Sequence, residues 1–498
     1  MKKFSIPGKK LVKTRAVKKS GQGLSWFTSK TGLLFLLIFA TGLLLRVYPA
    51  VQSPDPLRFD SYYHIRIAEL VQQTGSVPDF EPWPYGGRPH IYPPGYHVLL
   101  ALGSLLTGLP VFEFVRFFLP VVSALFVPAA FWLVRQHASE LAALLAAFFV
   151  AVNPYLVSTA YESPQVIGLL LSIFAIGFLL KEDYFKAGLV LAPVVLLDTF
   201  VLVFSGFAFL LFLLLRGKLF EIARLFAPVA VLGSAWYLPK LGLVFSCLNN
   251  EVGPFFIAKT ADVWTKFNTP VFIAIVFMAF AFAVDFKSQH RRFWGLWTGV
   301  FALLFFSHYF TQAFHPWRLD TFLMFGASFM LAEALSEVRA RKMFFLIALC
   351  VLTVFSLFNI FSALLFQPPL LPGEKTLVQE IGALPATAVP LATHDVCANT
   401  MTLTGKTCLL DISYECLPDA RKTFELENVY WASSLNEVKR PLEKYGATHV
   451  AYTGGDSGRG FIESLDVNKQ YASWTPGALD ASLYSLNKID GNIDYYDK

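Results

Sequence analysis

Arg58-Phe59-Asp60-Ser61-Tyr62-Tyr63-His64-Ile65-Arg66 sets a carboxylate, two tyrosines and an imidazole just beyond a hydrophobic run, residues 31–49, that follows a basic N-terminal arm. Ionisable residues that close behind an apolar run lie at the mouth of a membrane span, where a charge is costly and is kept for a task. The fold depends on which side of a membrane this stretch faces, and the rest of the chain supplies that answer.

The chain has 498 residues, of which 55% are hydrophobic, 16% aromatic and only 15% charged. A soluble domain cannot hide that much apolar surface, so the expected class is a polytopic α-helical membrane protein. The formal charge of +6 does not point to nucleic acid, because the cations sit at the ends of the hydrophobic runs. No nucleic-acid partner is expected.

Residues 1–30 form a basic arm carrying Lys2, Lys3, Lys9, Lys10, Lys13, Arg15, Lys18 and Lys19. No small-residue cleavage site follows it, so it reads as a retained signal-anchor with the N-terminus in the cytoplasm. Contact with anionic membrane lipid is a secondary use of such an arm. Runs of roughly 17–25 apolar residues mark spans. They fall near 31–49, 114–135, 139–157, 165–181, 186–200, 201–216, 219–239, 269–286, 292–309, 319–336 and 343–366, about eleven in all. The run 96–110 is too short to cross and is expected to lie outside or half-inserted. With that parity Arg135, Lys181, Lys186, Arg216, Lys218, Lys287, Arg291, Arg292, Arg339, Arg341 and Lys342 all fall in cytoplasmic turns, as the positive-inside rule requires.

The other face then collects the unusual polar residues. The first external loop, 50–113, carries Asp60, His64, Arg66, Asp79 and Glu81; Glu162 and Asp198 stand near outer span ends. Glu251 lies in a long loop near 240–268, and Arg318 follows His315-Pro316-Trp317. After Pro368-Pro369 and Pro372-Gly373 the composition turns polar, and 367–498 reads as an external α/β domain. Its expected elements include a helix from a capping box at Ser434–Glu437, kinked at Pro441 and stopped at Gly446, and strands at Thr407–Asp411 and Thr448–Tyr452. Cys397, Cys408 and Cys416 fall in that domain, where a disulfide is chemically permitted, although three thiols leave the connectivity open.

Carboxylates from separate loops over one cavity suit a hard divalent cation such as Mg²⁺ or Mn²⁺. A metal at Asp60 and Glu162 would offset the charge of a departing phosphate, and Arg318 would grip the same phosphate. Each residue also has a plain structural reading: a solvated loop acid for Asp60 and Glu251, a helix N-terminal acid for Glu162, a snorkelling cation for Arg318.

The ordered series Phe59 to Arg66, then Gly75 and Asp79, then Tyr92-Pro93-Pro94-Gly95-Tyr96-His97, resembles the first external loop of oligosaccharyltransferase catalytic subunits, which have a GT-C type membrane fold. The likeness continues through Asn153-Pro154 to Glu162, and from Thr393-His394-Asp395 through Gly405-Lys406 to Asp411. It implies transfer of a glycan from a polyprenyl (often dolichyl) phosphate carrier, a lipid-linked oligosaccharide, to asparagine in an Asn-x-Ser/Thr sequon. On that resemblance Asp60, Glu162 and Glu251 are metal ligands and catalytic. Arg318 contacts the lipid phosphate, and His64, Arg66, His97, His394 and Asp395 serve substrate binding. The expected cofactor is Mn²⁺ or Mg²⁺. The expected location is the cell membrane, multi-pass, with the active site on the extracytoplasmic side.

Two departures bear on the acceptor. The second motif has one acid, Glu162, where the family usually has two, and Ala392-Thr393-His394-Asp395-Val396 stands where a Trp-Trp-Asp motif reads the sequon hydroxyl. The resemblance therefore leaves three readings: an oligosaccharyltransferase-like enzyme with a protein acceptor, another GT-C glycosyltransferase with a lipid or glycan acceptor, or a non-catalytic lipid-glycan binding or transport protein. A transporter would show ionisable residues at mid-span and repeated halves. This chain gathers its acids on one face instead.

Overall fold

The computed structural model describes residues 28–52, 60–83, 87–153, 156–157, 163–243, 289–307, 316–337, 372–410, 425–426, 429–430, 435–453, 467–473 and 481–486. The apolar part begins with helix α1 (Lys30–Gln52), 23 residues long. At 1.5 Å per residue it is about 34 Å long, enough to cross a hydrocarbon core. Two short helices follow, α2 (Asp60–Thr74) and α3 (Gly95–Thr107), separated by a hairpin of β1 (Phe80–Glu81) and β2 (Arg88–Pro89). With 13 residues α3 is about 20 Å long, shorter than a hydrocarbon core is thick. Gly108, at φ +71°, ends it.

The succeeding apolar helices are α4 (Val111–Ala124), α5 (Phe126–Arg135), α6 (Glu140–Val152), α7 (Ser163–Leu180), α8 (Tyr184–Leu191), α9 (Val194–Leu197), α10 (Thr199–Leu215), α11 (Leu219–Tyr237), α12 (Gln289–Ser307) and α13 (Pro316–Glu337). They coincide with the expected spans, except that 269–286 and 343–366 lie outside the described residues. The 186–200 and 201–216 spans meet earlier than expected. Asp198 is extended and its carboxylate accepts from Val201 N at 2.9 Å, so it caps α10 and breaks the chain there.

α6 is buried on every side from Ala142 to Ala147, as suits a helix apolar all round. Its alanines let α1, α5 and α13 approach closely, the way small residues work between helices in lipid. An aromatic seam joins α12 to α13, with Trp294 stacked on Phe329 at 4.4 Å and Trp297 Nε1 donating to Phe322 O at 2.7 Å. In this setting dispersion and interhelical hydrogen bonds, rather than water exclusion, hold the bundle.

A second core lies C-terminal. It is built from α14 (Pro372–Gly382), β3 (Pro390–Leu391), α15 (His394–Thr404), α16 (Leu435–Lys444), β4 (His449–Thr453), β5 (Val467–Ser473) and β6 (Ala481–Leu486). The sheet runs β3-β4-β6-β5, with β3 parallel to β4 and the other pairs antiparallel. The strand expected at Thr448–Tyr452 is β4, and α16 runs through Pro441 to stop before Gly446 at φ +67°. The strand expected at Thr407–Asp411 does not form over 407–410. Leu409 N donates to Pro390 O at 2.9 Å, and the segment packs as a buried irregular strap beside β3. Cys397 and Cys408 are buried, and Cys397 Sγ donates to Ala392 O at 3.6 Å. Cys247, Cys350 and Cys416 lie outside the described residues.

Candidate functional site

Asp60 is the first residue of α2, and every residue from Ser61 to Ala68 on that helix is buried. A helix so covered is held from several sides: α3, α4, α7 and α15 all pack on it. Under it lies a polar core assembled by the β1–β2 hairpin, whose register pairs Glu81 with Arg88. Arg88 Nε donates to Glu81 Oε2 at 2.6 Å, Tyr63 Oη donates to Oε1 at 2.7 Å, and His90 Nδ1 stands 2.6 Å from Oε1. Burial pushes the Glu81 carboxyl up, but the Arg88 charge, the His90 bond and charge and the Tyr63 bond together bring it down to about 2. Glu81 is therefore an ionised buried carboxylate with its partners in place.

His64 and His97 continue this core. His64 Nδ1 and His97 Nε2 share a hydrogen bond of 2.9 Å, and Tyr92 and Tyr96 pack edge-on against His64, each with centroids 5.0 Å away. Burial first, then the charges of His64 and His90, holds His97 well below the usual imidazole range. The loop is pinned from the bundle as well. Lys240 Nζ donates to His90 O at 2.8 Å and Trp236 Nε1 to Ile91 O at 3.3 Å. Gly95 starts α3 where a Cβ would come within 2.6 Å of Leu196 O, so only glycine lets α3 seat on α9.

Arg46 is the site residue the sequence did not single out. It stands inside α1 with 0% exposure. Its guanidinium donates to Ser123 Oγ at 2.9 Å and to the carbonyls of Gly42 (3.0 Å), Ala151 (3.0 Å), Val150 (2.9 Å) and Leu156 (3.1 Å). Val150 and Ala151 are the last turn of α6, whose carbonyls lack helical donors and carry the negative end of the helix dipole. Arg46 thus ends α6 and holds the first residues of the segment leading to Glu162. An arginine within an apolar run was the signal for it.

The loop meets the C-terminal core directly. Thr402 Oγ1 on α15 donates to Tyr62 O at 3.3 Å, and Arg66 Nη1 donates to Met401 Sδ at 3.1 Å. The Arg66 guanidinium lies over the Trp83 ring at 5.4 Å, and Trp83 packs against the C-terminal core.

His64 and Arg66 on α2 and His97 on α3 are buried, at 4%, 3% and 0% exposure. Asp60 opens α2, Arg318 stands in the first turn of α13, and His394 and Asp395 open α15. Glu162, the residue before α7, and Glu251 lie outside the described residues. Among the described residues no group of three or more His, Cys, Asp or Glu is arranged to hold a metal.

No family model and no curated protein matches the chain. Solved structures do. The oligosaccharyltransferase AglB of Archaeoglobus fulgidus, in complex with an inhibitory peptide and a dolichol-phosphate, superposes with a TM-score of 0.59 at 10% identity, over 94% of this chain and 76% of that one. A further structure of the A. fulgidus enzyme holds Zn and sulfate. ArnT from Cupriavidus metallidurans gives a TM-score of 0.58 at 12% identity over 92% and 98% of the two chains. The mycobacterial arabinofuranosyltransferase AftD gives 0.53 at 13% identity over 92% and 40%. At these identities the likeness is one of fold, the GT-C fold of membrane glycosyltransferases.

Proposed function

We propose that this chain is a membrane glycosyltransferase that moves a glycan from a polyprenyl (dolichyl) phosphate-linked donor to an acceptor, with protein asparagine as the acceptor. What carries the reading is a juxtaposition: α2, opened by Asp60, is docked on α15, opened by His394 and Asp395. Residues suited to a donor and residues suited to an acceptor thereby fall on two helices in contact. The shared fold supports it, since the archaeal oligosaccharyltransferase carries dolichol-phosphate and an ArnT structure carries undecaprenyl phosphate.

Asp60, Glu162 and Glu251 are the residues proposed to hold Mn²⁺ or Mg²⁺, because an all-carboxylate donor set suits a hard cation. When bound, such a cation supplies charge neutralisation for the phosphate leaving group. Arg318, at the start of α13, is proposed to bind the donor phosphate through its guanidinium. Asp395 is proposed to contact the acceptor and His394 to line that side. His64 and His97, being buried, are proposed to serve the donor by shaping the wall behind α2 rather than by touching it. The site and the C-terminal domain are proposed to face the extracytoplasmic side, with the basic arm 1–30 in the cytoplasm.

A second reading has its own support. The chain spans 98% of ArnT and 76% of AglB, and the aromatic pair of the sequon-reading motif is missing at 392–396. That favours a lipid or glycan acceptor on the same donor chemistry. Donor use is tested by following a lipid-linked oligosaccharide with the purified full-length protein. Metal- and acceptor-dependent loss of the glycan from its carrier is expected, and a donor that stays intact with every acceptor would refute the reading.

A further inference from the structure

Arg66 is a charged residue with 3% exposure on the helix that Asp60 opens, and it meets the thioether of Met401 in the C-terminal core and the indole of Trp83, which packs on that core. A guanidinium is weakly hydrated, stacks on aromatic faces and donates in fixed directions, so it suits a dry junction between two bodies. Three contacts coincide there. Arg66 Nη1 donates to Met401 Sδ at 3.1 Å, the guanidinium covers the Trp83 ring, and Thr402 Oγ1 donates to Tyr62 O at 3.3 Å. Trp83 in turn packs on the buried core formed by Leu377, Val396, Met401 and their neighbours.

The geometry of the two helices gives this junction a consequence. Tyr62 is two residues from Asp60. Thr402 is in the last turn of α15, seven residues beyond Asp395, so Asp395 stands about 10 Å further along the helix axis. A rotation or slide of α15 at the Arg66 contact would therefore be carried along a rigid helix to His394 and Asp395. We propose that Arg66 is a positioning residue: with Trp83, Met401 and Thr402 it fixes the acceptor-side helix α15 to the Asp60 helix α2, and so sets the spacing between the two halves of the site. It touches neither substrate. This assignment rests on the proposed function for its catalytic meaning, while the junction itself is testable without it.

The test uses the full-length protein and three variants, Arg66→Ala, Arg66→Lys and Thr402→Val. The first readout is hydrogen exchange of the amides of 394–404. Arg66→Ala is expected to raise their exchange about tenfold or more relative to the amides of α6, with Arg66→Lys intermediate, since lysine keeps the charge and loses the planar fork. Unchanged protection at 394–404 would overturn the proposal. Thr402→Val removes only the hydroxyl and is expected to move the same amides in the same direction by a smaller factor, so a failure of Arg66→Ala to fold leaves a decisive variant. The second readout is steady-state transfer from a lipid-linked oligosaccharide to an Asn-x-Thr peptide. The KM for the peptide is expected to rise about tenfold in Arg66→Ala while the KM for the donor holds. Equal shifts in both would overturn the positioning role. If the unaltered protein transfers to no acceptor, the proposed function fails, and exchange at 394–404 still decides the junction.

Discussion

Arg46 donates a 3.0 Å hydrogen bond to the carbonyl of Ala151, joining the C-terminal half of α1 to the last turn of a helix 105 residues away. Four further acceptors, on Gly42, Ser123, Val150 and Leu156, converge on the same guanidinium. Arg46→Ala leaves several buried acceptors without that donor, at roughly 1–3 kcal/mol each before relaxation. A loss of about 3 kcal/mol or more is expected, read as a large fall in Tm of the detergent-purified protein. Arg46→Lys should recover only part, because one ammonium cannot reach five acceptors in a plane. A Tm unchanged by Arg46→Ala would show that α6 ends without it.

Glu81 is held by Arg88, His90 and Tyr63 together. Removing the charge from a buried pair leaves the partner cation uncompensated, which costs about 3–5 kcal/mol. Glu81→Gln is therefore expected to lower Tm strongly and to open the loop, read as protease cleavage between 75 and 94. Retained Tm and resistance would mean that Arg88 finds another partner.

The same core makes stability depend on pH, and the sign follows from two depressed pKa values. Burial, His64 and His90 hold His97 well below its ordinary 6.5, so the unfolded chain takes up a proton that the folded chain refuses. Stability from this source is full above about pH 6.5 and falls as the pH drops below it. Glu81, brought to about 2 from an ordinary 4.5, adds stability that is full above about pH 4.5 and is lost as the pH falls toward 2. Tm should be flat near neutrality and decline progressively on acidification, with His97→Gln flattening the upper part. A Tm that rises between about pH 7 and 5 would contradict this.

Much of the fold was legible because apolar run length is a direct consequence of bilayer thickness. The runs at 31–49, 139–157 and 219–239 became α1, α6 and α11, and the short run 96–110 became the 13-residue α3. Thr448–Tyr452 was legible as a strand, but Thr407–Asp411 was not legible as a strap. A short buried run carries the same pattern whether or not it pairs, and here Leu409 N donates to Pro390 O while the segment stays irregular. The polar core was hidden for a different reason. Glu81, Arg88 and His90 have no periodic spacing, and a hairpin brings them together. All three fall in the 50–113 loop, with nothing in the sequence to pair them. Arg46 was hidden because a cation near a span end ordinarily snorkels to the surface, whereas this one turns inward. The acceptor side stayed unreadable at 392–396, where no tryptophan pair stands.

The proposed metal role of Asp60 is tested by Asp60→Ala. Several kcal/mol of charge stabilisation correspond to a loss of transfer of at least about a hundredfold. Elution and Tm are expected to stay as in the unaltered protein. Excess EDTA should have the same effect, reversed by Mn²⁺ or Mg²⁺. Full transfer in EDTA would remove the metal from the account.

The most direct test of the central claim offers a lipid-linked oligosaccharide to the purified protein with two acceptors in competition, an Asn-x-Thr peptide and a sequon-free glycan, and identifies the product by mass. The expected products are a glycan joined to the peptide asparagine and a deglycosylated polyprenyl carrier. Glycan on the sequon-free acceptor alone would move the protein to the second reading, and an unconsumed donor would contradict the account.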